Sequence, residues 1–275
     1  MTTIDDQPTV RLPSGATIPA FGLGTWELEA DEVSEIVGAA LDLGVRHVDT
    51  AQMYGNEADV GRAIAASDVE RSEVFLTTKV ANDRHGPDEL RASVEESLEK
   101  LRTDHVDLLL IHWPVDFDRM DETLAALASV HEDGLASHLG VSNFTREQLD
   151  RSVDLAPLEV LQCECHPFLQ QVDLRAWCAD HGWGFTAYSP LARGEVFHSD
   201  VLDDIAAEKD VSSGAVALAW LLAQPQVVTI PKTTDAEHLE ENCSALTIEL
   251  DQLELDRISG LEEGRRLVDP DFAPW

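Results

Sequence analysis

The sequence predicts an α/β chain of the (β/α)8, or TIM, barrel class with an N-terminal β-hairpin. Short apolar strand candidates alternate with amphipathic helical segments almost without a break, the strand candidates number eight, and the chain has 275 residues. A barrel of eight strands and helical crossovers typically occupies about 250 residues. No Ser- or Gly-rich linker interrupts the pattern, so residues 1–275 read as one domain. A doubly wound sheet is the rival for such alternation. It would show Gly-x-Gly-x-x-Gly after its first strand, whereas Gly22-Leu23-Gly24 runs into Thr25-Trp26-Glu27.

Taken in order, residues 9–18 read as a hairpin, with Pro13-Ser14-Gly15 supplying the turn. Residues 20–24 form the first predicted barrel strand. A helix over 31–44 follows, apolar at Val33, Ile36, Val37, Ala40 and Leu41, acidic in its first turn and ending at a glycine. His47-Val48 opens the second strand and 57–66 the next helix. Residues 74–78 are a strand, followed by a helix over 87–101 with proline in its first turn. The run 106–111 is almost wholly apolar, as expected of a strand buried on both faces. Then come a helix over 120–131, a strand over 138–141 and a helix over 146–155. A strand at 160–163, a helix at 173–181 and a strand at 184–187 continue the pattern. Two helical pieces span 201–223, the last strand covers 227–230, and helices at 236–243 and 250–261 finish the chain.

Composition removes several function classes. Asp and Glu total 53 against 19 Lys and Arg, a formal net charge of −34. Such a field repels nucleic acid and anionic membranes, so neither is an expected partner. Four Cys are too few for a disulfide framework, the first residues hold no apolar run, and nothing approaches a membrane span; a cytoplasmic setting and a monomer are the expectation. The acid is dispersed, with 9, 11, 10, 7 and 9 acidic residues in successive blocks of fifty and 7 in the last 25. Lysine is confined to Lys79, Lys100, Lys209 and Lys232. Dispersed acid with depleted lysine suits a salt-rich cytoplasm, where salt screens self-repulsion to about 3 Å at 1 M, and a halophilic source is expected.

In barrels of this class the working residues sit where strands run into the following loops. Those positions carry Asp49 and Tyr54, then Lys79, His112 and Trp113, Ser142 and Asn143, Gln162 and Glu164, Tyr188 and Ser189, and finally Lys232. A phenol titrates near 10, and an adjacent cation favours its ionised form. Lys79 can supply that cation, and a buried ammonium needs a carboxylate, which gives Asp49 its part. His112 can hydrogen-bond a carbonyl oxygen or relay a proton. The four together are suited to protonating an oxygen while something else attacks the carbon. No Gly-x-Ser-x-Gly elbow supports a serine hydrolase. A metal site is weakly founded, because Glu164 and His166 share one strand face while Cys163 and Cys165 face the other. An imine at Lys79 is a further alternative. Hydride transfer from a nicotinamide fits the constellation better, since the cofactor then carries the hard chemistry.

The residues also carry a resemblance. The stretches Gly22 to Trp26, Asp49 to Glu57 (DTAQMYGNE), Leu76 to Lys79, Leu108 to Pro114 (LLLIHWP), Gly140 to Phe144 (GVSNF), Gln162 to Pro167 (QCECHP), Tyr188 to Leu191 (YSPL) and Ile230-Pro231-Lys232 occur in one order at successive strand exits. In this the chain resembles the aldo-keto reductases, most nearly prokaryotic members related to diketogluconate reductases. The resemblance implies NAD(P)H-dependent reduction of aldehydes or ketones to alcohols, without a metal. It makes Tyr54 the general acid, supported by Lys79 and Asp49, with His112 orienting the carbonyl. Tyr188 matches the platform under the nicotinamide ring, and Ser142, Asn143 and Gln162 match the groups that bind its carboxamide. Thr25, Asp49, Ser189 and Leu191 match positions along the ribose and pyrophosphate, Glu241 and Asn242 the pair at the adenine. Trp26 and Trp113, with Tyr54 and His112, match the walls of the pocket for a small carbonyl substrate. A nucleotide-sensing regulatory subunit is the non-enzymatic alternative.

One departure bears on the cofactor. Where the family usually has an arginine six residues past the lysine, this chain has His238, with Lys232 and Thr233 retained. A neutral imidazole does not replace a forked guanidinium. NADP(H) with some use of NAD(H) is therefore expected. Trp275 has no assigned place, either over the pocket or free.

Overall fold

The computed structural model describes Ile4 and residues 7–275. Strands β1 (Thr9–Arg11) and β2 (Thr17–Pro19) pair antiparallel with Val10 opposite Ile18. Their turn is closed by bonds from Leu12 N to Ala16 O and from Gly15 N to Leu12 O. Gly15 has φ +92°, a conformation that costs a residue without a Cβ nothing.

Eight parallel strands follow in sequential order: β3 (Leu23–Gly24), β4 (His47–Asp49), β5 (Phe75–Val80), β6 (Val106–Ile111), β7 (Ala136–Ser142), β8 (Leu158–Glu164), β9 (Gly184–Tyr188) and β10 (Val227–Thr229). The first and last meet. Gly22 N donates to Thr229 O at 2.9 Å, Thr229 N to Ala20 O at 2.8 Å and Gly24 N to Pro231 O at 3.0 Å, which closes the barrel. At this seam the backbones approach so closely that a Cβ on Gly24 would lie 2.9 Å from Ile230 O. The first strand is shorter than the sequence suggests, because Phe21 makes only an isolated bridge to Thr229.

Among the described residues ten helices lie between and after the strands: α1 (Ala30–Asp42), α2 (Glu57–Ala66), α3 (Pro87–Leu101), α4 (Met120–Glu132), α5 (Arg146–Ser152), α6 (Val172–His181), α7 (Asp200–Lys209), α8 (Ser213–Leu222), α9 (Ala236–Ser244) and α10 (Gln252–Ser259). Helix α5 stops at Ser152, three residues before the expected end. Side-chain caps from Thr145, Ser212, Asp235 and Asp251 open four of these helices. None of the helices among the described residues is long and apolar enough to cross a membrane.

The strands divide their side chains between two cores. Leu109 and Ile111 face the helices, while Leu108 and Leu110 join Val160, Val228 and Ile230 inside the barrel. The hairpin completes that inner cluster with Val10, Leu12 and Ile18, plugging the N-terminal mouth. Glu159 ties the plug down, accepting from Ser14 N at 2.5 Å and bonding His138 Nδ1 at 2.7 Å. Beside them His47 is fully buried on Thr77 Oγ1, and burial pulls its pKa down to about 4. The hairpin fills the N-terminal mouth, and the open cleft lies at the C-terminal one.

Candidate active site

Asp49 ends β4, and the chain turns at once into a single 3-10 turn, Gln52–Tyr54, closed by Gly55 at φ +72°. Two neighbours that the sequence reading passed over fix this turn. Gln52 donates to Ser93 O, Ser93 Oγ and Ser97 Oγ, and accepts from Ala81 N at 2.8 Å. Asn56 donates to Thr25 O and Leu28 O and accepts from Thr50 Oγ1. The loop carrying Tyr54 is therefore held from both sides.

Lys79 projects from β5 into the same mouth with 1% of its surface exposed, and Asp49 with 2%. The ammonium donates to Asp49 Oδ1 at 2.5 Å, Thr50 O at 2.9 Å and Tyr54 Oη at 3.2 Å. Asp49 Oδ2 accepts from Gln162 Nε2 at 2.8 Å, so both carboxylate oxygens are engaged. Burial is the largest influence on Lys79 and disfavours its charge, but Asp49 and Tyr54 together outweigh it and raise its pKa. The imine alternative loses its footing here: an ammonium with three partners, behind the cleft rather than lining it, offers no free amine.

Tyr54 departs from the expectation. Burial pushes the phenol above its ordinary value, and the opposing pull of Lys79 does not overcome it. The cation alone would favour the phenolate, but desolvation, which residue spacing does not reveal, disfavours it more strongly. His112, immediately after β6, meets Tyr54 edge-on with ring centres 5.6 Å apart. Burial, then the Lys79 charge, hold it well below the usual imidazole range, so it is neutral.

These groups floor a cleft of two joined chambers. The inner one, about 240 Å³, is lined by Thr25, Trp26, Asp49, Tyr54, His112, Trp113, Ser142, Asn143, Gln162, Tyr188, Ser189 and Lys232. The outer one, about 530 Å³, is lined by Leu191, Thr233, His238, Glu241 and Asn242, and it shares Trp26, Ser189 and Lys232 with the first. Every residue singled out from the sequence as catalytic, cofactor-binding or substrate-binding thus stands on this cleft, except Lys79 immediately behind it. Some are already partnered: Asn143 donates to His112 O and Ser142 Oγ and accepts from Tyr188 Oη at 2.8 Å. Glu164 faces elsewhere, bonded to His166 Nε2 at 3.1 Å. Among the described residues no three His, Cys, Asp or Glu side chains gather as a metal site would require.

Arg193 was missed. It lines both chambers, with its guanidinium 5.1 Å from the Trp26 ring centre. A signal existed, an arginine five residues past a strand exit in a chain with 19 basic residues. Arg193 and Lys232 are the two cations at the junction of the chambers. Trp275 also finds its place: its ring lies 5.6 Å from Trp113 and 3.7 Å from the Arg266 guanidinium.

Comparison with known proteins places this geometry. The model of the Aldo/keto reductase family matches residues 20–263. Methylglyoxal reductase DkgB of Escherichia coli O157:H7 is 41% identical over 263 residues, covering 94% of this chain and 98% of that protein. A crystal structure of a candidate 2,5-diketo-D-gluconic acid reductase B superposes with a TM-score of 0.94 at 40% identity, covering 98% of this chain and 96% of the other. A second, a point mutant of Gox0644 in complex with NADPH, gives 0.91 at 34% identity over 98% of this chain and 100% of the other.

Proposed function

The chain belongs to the aldo/keto reductase family, and from that premise we propose that it reduces small aldehydes and ketones, dicarbonyls among them, with NADPH, Tyr54 acting as the proton donor. The observation that carries this reading is the chain of contacts from Gln162 through Asp49 and Lys79 to Tyr54 Oη at the floor of the cleft. The cleft's donors suit a dinucleotide phosphate. Amide and hydroxyl groups of Ser142, Asn143 and Gln162 stand at the inner end beside the Tyr188 ring, while Lys232, Thr233 and Arg193 supply cation and hydroxyl farther out. In a chain of net charge −34, two cations at one junction make a local site for phosphate.

When bound, the reduced nicotinamide supplies a hydride to the carbonyl carbon. Trp26 and Trp113 wall the substrate chamber, and the neutral His112 orients the carbonyl oxygen by a hydrogen bond. As that carbon is reduced, its oxygen gains negative charge and takes the proton from Tyr54 Oη. The Lys79 ammonium stabilises the resulting phenolate, and Asp49 keeps Lys79 charged and in place. Solvent then returns a proton to Tyr54. Because burial raises the phenol above its ordinary value, Tyr54 holds its proton at neutral pH and is ready to donate it. Support for a small dicarbonyl substrate comes from the size and apolar walls of the inner chamber and from the activity named for the Escherichia coli relative. His238 in place of an arginine leaves part of the NADPH preference to Lys232 and Thr233, so NADH should also serve.

Following NADPH absorbance with methylglyoxal tests the reading. Tyr54→Phe should lower kcat/KM by about 10²–10⁴-fold, the usual contribution of a general acid, with NADPH affinity unchanged. Full turnover in that variant overturns the assignment of Tyr54, and no reduction of any aldehyde by the wild type overturns the activity.

A further inference from the structure

We propose that Glu164 is a positioning residue: its buried carboxylate latches the C-terminal segment onto the barrel and so sets the wall of the substrate chamber.

Glu164 is the last residue of β8 and has no exposed surface. Its Oε1 accepts from Leu267 N at 2.8 Å and bonds His166 Nε2 at 3.1 Å, and its Oε2 accepts from Val268 N at 3.0 Å. Two of its partners are thus amides more than a hundred residues away. Burial alone would push the carboxyl up, but His166 and the two amides hold it below the usual carboxylate range, so it stays charged.

What hangs from this tie is the chamber wall. Val268 lines the inner chamber. Beyond it, Phe272 meets Trp113 edge-on at 5.3 Å and Trp275 lies on the same ring at 5.6 Å. The hydrogen bonds found beyond Val268, Ala273 N to Pro270 O and Trp275 Nε1 to Asp269 Oδ1, stay within the segment. Upstream, Glu263 N and Arg265 N donate to Phe168 O and Gln170 N donates to Glu262 Oε2. Glu164 is therefore the final polar anchor before seven residues held on the barrel by aromatic contact. A glutamine has the same shape but one acceptor oxygen, so whichever way its amide turns, one backbone N–H faces an NH₂ group.

This inference rests on the carbonyl-reductase reading, and its test has a readout that does not. Three forms are compared with wild type: Glu164→Gln, a chain ending at Arg266, which lacks both amides that Glu164 holds, and the two combined. Phenylglyoxal is the bulky substrate and methylglyoxal the small one. Glu164→Gln should raise KM for phenylglyoxal about tenfold, the effect of one hydrogen bond to a charged group. Its kcat and NADPH Kd should stay within about twofold, within the scatter of a remote change. The shortened chain should show the same rise, and Glu164→Gln within it should add nothing, as expected of two changes acting through one contact. Hydrogen exchange at the Leu267 and Val268 amides should quicken about tenfold in Glu164→Gln. Glu164→Asp, which keeps the charge but shortens the reach, should move KM and exchange in the same direction and serves if the glutamine variant fails to fold. Unchanged exchange, an equal loss of kcat with both substrates, or a full additional effect in the shortened chain overturns the proposal. If the wild type reduces no carbonyl, the reading of its activity fails while amide exchange still decides the latch.

Discussion

Lys79 Nζ stands 3.2 Å from Tyr54 Oη and 4.9 Å from the centre of the same ring, so the ammonium sits beside the phenol's oxygen and within reach of its π face. Lys79 is buried and Tyr54 half-buried at the cleft floor, and the charge that desolvation would remove from Lys79 is kept by Asp49. The arrangement holds a neutral acid next to a permanent cation. It stabilises the phenolate at the moment of proton transfer without creating it beforehand.

The pH profile of reduction should follow from this. Tyr54 lies above its ordinary value because burial outweighs Lys79, and proton donation is lost only as pH rises through that raised value. His112 lies well below its ordinary value through burial and then Lys79, so it stays neutral down to acid pH. We expect kcat/KM for an aldehyde to be flat across the neutral range and to fall only on the alkaline side of the ordinary phenol value, with no acid limb at the ordinary imidazole value. An acid limb near 6.5 that disappears in His112→Gln would contradict the neutral imidazole.

Removing Asp49 alone should be worse for stability than removing the pair. Asp49→Asn leaves the buried ammonium without its counter-charge, a loss of about 3–5 kcal/mol. Adding Lys79→Met should recover part of that stability while turnover stays low. Thermal melts of the single and double variants check this, and a double variant less stable than Asp49→Asn would refute it.

At the outer chamber, His238→Arg should restore a forked contact to the 2′-phosphate. Binding of 2′,5′-ADP, read by calorimetry, should tighten about tenfold, as a charge-assisted pair provides, with 5′-ADP unaffected. Equal affinities of wild type and variant would mean that Lys232 and Thr233 already saturate the site.

Acid should loosen the hairpin end of the barrel. The folded His47 titrates at about 4 because it is buried, whereas an unfolded histidine takes its proton near 6.5. Between those values the unfolded chain binds more protons, so stability falls as pH drops through this window, by up to about 3 kcal/mol. Urea midpoints at pH 7 and pH 4.5 should differ less in His47→Gln than in wild type.

For the acid-rich surface we propose salt dependence. With a net charge of −34, self-repulsion is screened to about 3 Å at 1 M salt, and Tm should rise by several degrees between 0.1 M and 2 M KCl. An unchanged Tm would make the composition irrelevant to salt.

Much of the site was legible in the sequence because parallel strands deliver consecutive exits to one face of the barrel. Once Asp49, Lys79, His112, Ser142, Gln162 and Tyr188 are assigned to strand ends, their convergence needs no further information. Arg193 escaped because it sits in a loop past the exit, where spacing carries no geometry. Gln52 escaped because an amide inside a motif looks like any exposed polar residue until Ser93, Ser97 and Ala81 are seen around it.

The sequence by itself determined the barrel, its hairpin, the order of polar groups around the mouth and the acidic surface. These depend on local period and residue identity. Tertiary structure decided the sign of the Tyr54 shift, the partners that Asn143 already holds and the tie from Glu164 to the tail. Each of those depends on how much water is excluded and which distant backbone lies opposite, and neither is encoded in the spacing along a chain.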